Sequence, residues 1–310
     1  TVQPRIEKAI RLANVERLRV LAMLEIVRYH DHGDRLALVG GLGLPTFLLL
    51  TNLFNTTLTH KRGPVPFLHD KRARLVVPWL FWSVFYGVWL VRGALRHGQP
   101  LRDVLSWQLI LAGTSSHLWF VPFAFASAAL TAGAQWLTGK LPHRATAYAA
   151  LALGGVVLVA LAGLPGRDYP APLPQWILST PSVFLGFGIG RLLLADRGQL
   201  QLRAALPAAL GAFALLLYCG LVEPSFLMQR YATSLLLVLA VLLVAGKPDP
   251  VSQLLSPLLF GIYLVHHFVA DHVLSHIPYV ADMPWLFIVD FACTIAVVSV
   301  LRRTPIARVL

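Results

Sequence analysis

The sequence predicts an all-α, polytopic membrane bundle of about ten transmembrane helices with both termini in the cytoplasm. Three observations carry that expectation. Of 310 residues, 57% are hydrophobic and 13% charged, where a soluble domain carries about 25% charged residues; the mean hydropathy is +0.68. Apolar runs recur that are long enough to cross a bilayer as helix, about 17–25 residues. The basic residues also sort by side of the membrane.

In chain order the runs lie near 15–32, 35–57, 74–95, 116–137, 146–164, 174–195, 203–222, 230–246, 252–275 and 284–302. The first is the least apolar, because it holds Arg19, Glu25, Arg28 and His30. Turn and charge signals separate the runs: His60-Lys-Arg-Gly-Pro64, Gly98-Gln-Pro100, Lys140-Leu-Pro-His143, Pro165-Gly-Arg-Asp168 and Lys247-Pro-Asp-Pro250. With the N-terminus inside and ten alternating spans, 19 lysines and arginines fall inside and 7 outside, which is the positive-inside pattern. The net charge of +12 is thus read as topology rather than as a nucleic-acid surface. Residues 1–19 are basic and mixed and do not read as a secretory signal. No linker or internal repeat divides the chain, so a single domain over 1–310 is expected. Cys219 and Cys293 stand in apolar stretches, as small core residues, without a disulfide framework or metal-ligand spacing.

Ionisable groups are costly in hydrocarbon and tend to be functional there. Arg19 and His30 are eleven residues apart. On a helix that is about 20° from eclipsed and a rise of roughly 16 Å, so both share one face, Arg19 toward the cytosol and His30 toward the outer half. Imidazole titrates near neutral pH and suits general-base work; Asp31 and Asp34 are candidates to orient it. The plainer alternative is a snorkelling arginine and a helix-end histidine. The segment from His60 to Arg74 reads as a basic cytoplasmic loop with Lys61, Arg62, Lys71, Arg72 and Arg74. It is either ordinary positive-inside charge or a docking site for a phosphate-bearing donor. Lys71 and Arg74, three apart, share a helical face. His117-Leu-Trp119-Phe120 opens the fourth span, where an aromatic belt would also place Trp119. Tyr263 and His266 share a face of the ninth span, with His267 and Asp271 one helical turn apart beside them. The outer-side histidines His272 and His276 lack a matching ligand cluster, so no metal is expected.

Together these pieces resemble the acyltransferase 3 family of integral membrane acyltransferases. The resemblance rests on Leu18-Arg19-Val-Leu-Ala22…Tyr29-His30, with ten residues between Arg and His, and on Lys71-Arg72-Ala-Arg74 before Pro78 and a run of aromatics. It continues through His117-Leu-Trp119-Phe120, Phe184-Leu-Gly-Phe-Gly188 and Gly261-Ile-Tyr263-Leu-Val-His266. The matches follow in order from Arg19 to His267. One departure is Phe47-Leu-Leu-Leu-Thr51-Asn52, where the family carries a small, flexible step.

The resemblance implies transfer of an acyl group, often acetyl, from acyl-CoA to a hydroxyl of a cell-surface or lipid-linked carbohydrate. By it, His30 is the catalytic histidine and Arg19 holds or orients the donor. Lys71, Arg72 and Arg74 grip the CoA phosphates, and His117, Trp119, Tyr263 and His266 support the substrate site. A bacterial cytoplasmic (inner) membrane is the expected location, with the lipid bilayer and a glycan acceptor as partners and no nucleic acid. Two other classes fit the composition: a transporter or flippase of a lipid-linked sugar, and a structural membrane subunit.

Overall fold

The computed structural model describes residues 3–32, 41–163, 169–277, 283 and 285–310, with side chains of the first segment over 13–31. Arg5, Lys8, Arg11, Asp34, Arg35, Arg167 and Asp168, used above, fall outside the described side chains. Among the described residues every regular element is helical. Ten longer helices follow in order: α1 (Gln3–His32), α2 (Gly43–Arg62), α3 (Pro64–Arg96), α4 (Ser116–Thr138), α5 (His143–Ala162), α6 (Leu173–Ala195), α7 (Leu202–Leu221), α8 (Phe226–Leu243), α9 (Pro250–His276) and α10 (Leu286–Leu301). Seven of them, α3 through α9, are long and apolar enough to cross a membrane. The chain is a multi-pass membrane protein.

The helices that miss that criterion do so for physical reasons. Helix α10 has 16 residues. Helices α1 and α2 are central: α2 packs on α1, α4, α6 and α8, and α1 packs on α2, α8, α9 and α10. A helix surrounded by protein can carry polar groups if the bundle bonds them. Helix α2 buries Thr46, Asn52, Asn55, Thr56 and Thr59; Thr46 Oγ1 donates to Ser234 Oγ of α8 at 2.9 Å. Helices α3, α5 and α7 turn most of their surface outward, as lipid-facing helices do. The α2–α6 contact is a small-residue seam. A Cβ on Gly186 would stand 2.6 Å from Asn52 Cβ, and one on Gly190 would stand 2.6 Å from Thr56 Cβ. Buried side chains form two main clusters, one spanning α1, α2 and α5–α8, the other spanning α1–α4, α9 and α10.

The basic 60–74 segment is helix rather than loop. Helix α2 continues to Arg62, Gly63 turns the chain at φ +79°, and Pro64 starts α3 at once. Proline fits the first turn, where its missing N–H costs nothing. Within α3 the residues Arg72–Val76 form a π turn, a distortion frequent at functional sites.

Candidate active site

Helix α1 runs to His32 and presents His30, the histidine expected of it, in its last turn. The second histidine arrives on a built turn. Gly113, at φ +73°, reverses the chain, and Thr114 Oγ1 donates to the Ser83 carbonyl of α3 at 2.5 Å. The 3-10 turn Ser116–Trp119 then opens α4 and carries His117. Tyr263, His266 and His267 project from α9, and the Tyr263 hydroxyl donates to the His117 carbonyl. Tyr86 of α3 closes the far side: its hydroxyl donates to the Leu264 carbonyl at 2.8 Å, and its ring meets His117 edge-on at 5.2 Å.

Four imidazoles meet here. His30 Nδ1 and His267 Nε2 are 3.2 Å apart. The His266 ring lies 5.2 Å from that of His30 and 5.2 Å from that of His117. The His117 and His267 rings stack at 4.4 Å, 11° from parallel. His266 Nδ1–H donates to the Tyr263 carbonyl at 2.8 Å. That contact fixes its tautomer and leaves Nε2 as a bare lone pair. The Nε2 atoms of His117 and His266 are buried without a hydrogen-bond partner among the described residues. One nitrogen each from His30, His266 and His267 lie within 4.8 Å of one another, close enough to share a proton or to hold a transition-metal ion.

His30, His117, Trp119 and Tyr263 line a cavity of about 330 Å³. Trp119 is buried among Phe120, Phe123 and the cavity rather than standing in an interfacial belt. Sequence reasoning missed several lining residues: Gln175 and Ser179 of α6, and Arg230 and Tyr231 of α8. They come in pairs, Gln175 and Ser179 one turn apart and Arg230 beside Tyr231, but neither pair belongs to a motif read from the sequence. Glu25, also in the lining, accepts from the backbone N–H of Gly41 (2.6 Å) and Gly43 (2.5 Å), and Arg28 Nη2 donates to it at 3.1 Å. It ties α1 to the start of α2. Tyr231 donates to the Leu178 carbonyl at 3.0 Å and also walls a second, apolar space of about 870 Å³ lined by Leu151, Gly155, Pro207, Gly211 and Leu235.

On Nδ1 of His30 a contact comes from His267; Asp34 lies outside the described residues. His267 Nδ1 in turn faces Asp271 Oδ2 at 3.6 Å. Asp290 of α10, singled out by no motif, is fully buried, accepts from Thr294 Oγ1 at 3.1 Å and feels the charges of Asp31 and Asp271.

Arg19, Lys71, Arg72 and Arg74 do not line the cavity. They belong to the other end of the bundle. Arg19 Nη1 donates to Ser256 Oγ at the start of α9 (3.3 Å), and Lys71 lies within electrostatic reach of Arg19, Arg62 and Arg74. Asp70 holds Arg74 at 2.9 Å and Arg62 at 3.2 Å, while Arg72 is exposed. The four cations thus gather at the end of the bundle opposite the histidines, termed its cationic mouth for the role proposed below. Asp249 caps α9 at this end, accepting from Ser252 Oγ (2.6 Å), Ser252 N–H (2.9 Å) and Arg17 Nε (2.7 Å). Those bonds from Ser252 and Arg17 hold its carboxyl well below the usual carboxylate range.

A multi-pass helical bundle with a histidine cluster on an internal cavity and a cationic mouth at its other end defines a membrane-embedded group-transfer enzyme. The family model described as an acyltransferase domain, acyltransferase 3, matches residues 12–303. The chain belongs to that family and is an acyltransferase, so the transporter and structural-subunit alternatives give way. No curated protein and no solved structure matches the chain.

Proposed function

We propose that this enzyme transfers an acyl group, acetyl first among candidates, from acyl-CoA to a hydroxyl of a cell-surface or lipid-linked carbohydrate. All ten helices would cross a bacterial inner membrane with both termini in the cytoplasm, as the 19-to-7 distribution of basic residues favours. CoA phosphates would be held by Lys71, Arg72 and Arg74, with Arg19 beside them on the path inward. The acceptor would occupy the 330 Å³ cavity. His30 takes the acceptor's hydroxyl proton as the oxygen attacks the thioester carbonyl. The new C–O bond forms, the C–S bond breaks, and the proton passes to the departing sulfur, giving ester and free CoA thiol. A positioned base contributes about 10²–10⁴-fold. No resident metal is part of this scheme.

The observation that carries the reading is His30 on the cavity wall, with one ring nitrogen engaged by His267 and the other left for chemistry. The test is label transfer from radiolabelled acetyl-CoA into glycan and lipid fractions of membranes expressing the protein, with mass spectrometry of the surface glycans. His30→Ala abolishes the acyl mass gain while the protein stays in the membrane at normal abundance. Full transfer by that variant removes His30 from the mechanism.

A further inference from the structure

The contact between His30 and His267 has a direction built into it. His267 lies on α9, one helical turn before Asp271, and the Asp271 carboxylate faces its Nδ1 at 3.6 Å. A carboxylate can only accept, so it selects the tautomer in which Nδ1 of His267 carries the proton. Nε2 of the same ring is then a lone pair, and it stands 3.2 Å from Nδ1 of His30. In that tautomer His30 donates from Nδ1, and its own Nε2 is unprotonated. Contacts of this kind are often long before substrate binds and tighten afterwards. The His117 ring stacked on His267 at 4.4 Å keeps the ring plane from turning, and Tyr86 and Tyr263 hold the His117 segment in place.

We propose that Asp271 and His267 form a two-member positioning relay that presents His30 as a base toward the cavity. The relay rests on the function proposed above and adds two residues to it. Neither touches the acceptor; both act through His30. The carboxylate orders the first ring, the first ring orders the second, and no proton leaves the relay during turnover. When His30 becomes imidazolium, His267 Nε2 accepts from it and Asp271 balances the charge. The arrangement follows the logic of an aspartate orienting a single catalytic histidine, lengthened by one imidazole and split between two helices.

The test compares three substitutions in membranes, with radiolabelled acetyl-CoA as donor and label in the glycan and lipid fractions as readout. His267→Gln keeps an amide oxygen able to accept from His30 Nδ1, and it retains kcat within about 10-fold. His267→Phe keeps the ring that stacks on His117 but offers no acceptor, and it loses about 100-fold in kcat. Asp271→Asn lowers kcat, by far less than the roughly 10⁴-fold that the same change costs a buried triad because the Asp271 side chain is 65% exposed, and Asp271→Glu restores most of it, all with the KM for acetyl-CoA unchanged. A packing role for His267 predicts the reverse order, with Phe better tolerated than Gln, and that order overturns the relay. So does one tightly bound zinc per chain in purified protein, since a metal on these nitrogens would take the lone pairs the relay needs. If His30→Ala is inactive while His267→Phe is fully active, the relay fails and the role of His30 stands. If His30→Ala is active, both fail.

Discussion

Arg191 and His266 are both completely buried, and the bundle treats them in opposite ways. Arg191, near the end of α6, is hydrogen-bonded through every one of its three nitrogens. Its Nε donates to Thr146 Oγ1 at 2.8 Å and its Nη1 to Gln135 Oε1 at 3.2 Å, while its Nη2 reaches the carbonyls of Thr138 and Leu141, each at 3.1 Å. Gln135 passes the network on to His60 Nδ1 at 3.2 Å. His266 spends one nitrogen on its own helix and leaves the other without a partner among the described residues. A buried polar group that is fully bonded holds structure together; one left open among other open groups, beside a cavity, is kept for a substrate or a proton. The arginine knits α4, α5 and α6, and the histidines wait at the opposite end of the same bundle.

The strongest way to break that contrast is to remove Arg191. Arg191→Leu removes the partner of the buried Gln135 Oε1 and of the Thr138 and Leu141 carbonyls, and stability falls by about 2–4 kcal/mol. The check is thermal unfolding in detergent, set beside turnover per folded molecule. Stability drops while specific activity holds; a selective loss of activity with unchanged unfolding would make the arginine part of the site.

A smaller effect is expected at the cationic mouth. Lys71→Ala combined with Arg74→Ala raises the KM for acyl-CoA about 10-fold, and the difference from wild type shrinks in high salt, because exposed charge is screened over about 8–10 Å. Asp70 already neutralises part of Arg74, which limits the size of the effect. An unchanged KM would remove the docking role.

The smallest effect concerns Asp249. Its folded carboxyl titrates below the unfolded value of about 3.9, so the cap contributes fully above that pH. The contribution is lost as the pH falls from there toward the lower folded value. Acidification from pH 6 to about 3.5 therefore costs the wild type more thermal stability than it costs Asp249→Asn. Equal losses in the two proteins would show that the cap adds nothing.

Much of this was legible in the residues. His30, His117 and His266 stood out because imidazoles are rare in apolar runs, and their order along the chain named the family. Their convergence was not legible, since helical spacing assigns a face without saying which helix it meets. His267 and Asp271 were visible as a pair one turn apart; that they face His30 needed the packing of α1 on α9. Arg191 read as one more inside charge, because Gln135 and Thr146 lie about 50 residues away in sequence. The basic 60–74 segment read as a loop because Gly63 and Pro64 signal a break, yet the same two residues end one helix and begin the next. Asp290 and Arg230 were silent for want of a motif around them.

Tyr231 leaves a last consequence. Its side chain lines both the cavity of His30 and the apolar space beside it, so the partition between the two is a single side chain thick. Its hydroxyl is latched by a hydrogen bond to the Leu178 carbonyl, with Ser182 beside it. Leaving a buried donor of this kind unpaired costs about 1–3 kcal/mol, which keeps the latch closed by roughly five- to 150-fold. An open conformer joining the two chambers is then a minority population rather than a forbidden one. The two spaces would share a doorway whose hinge is a phenol.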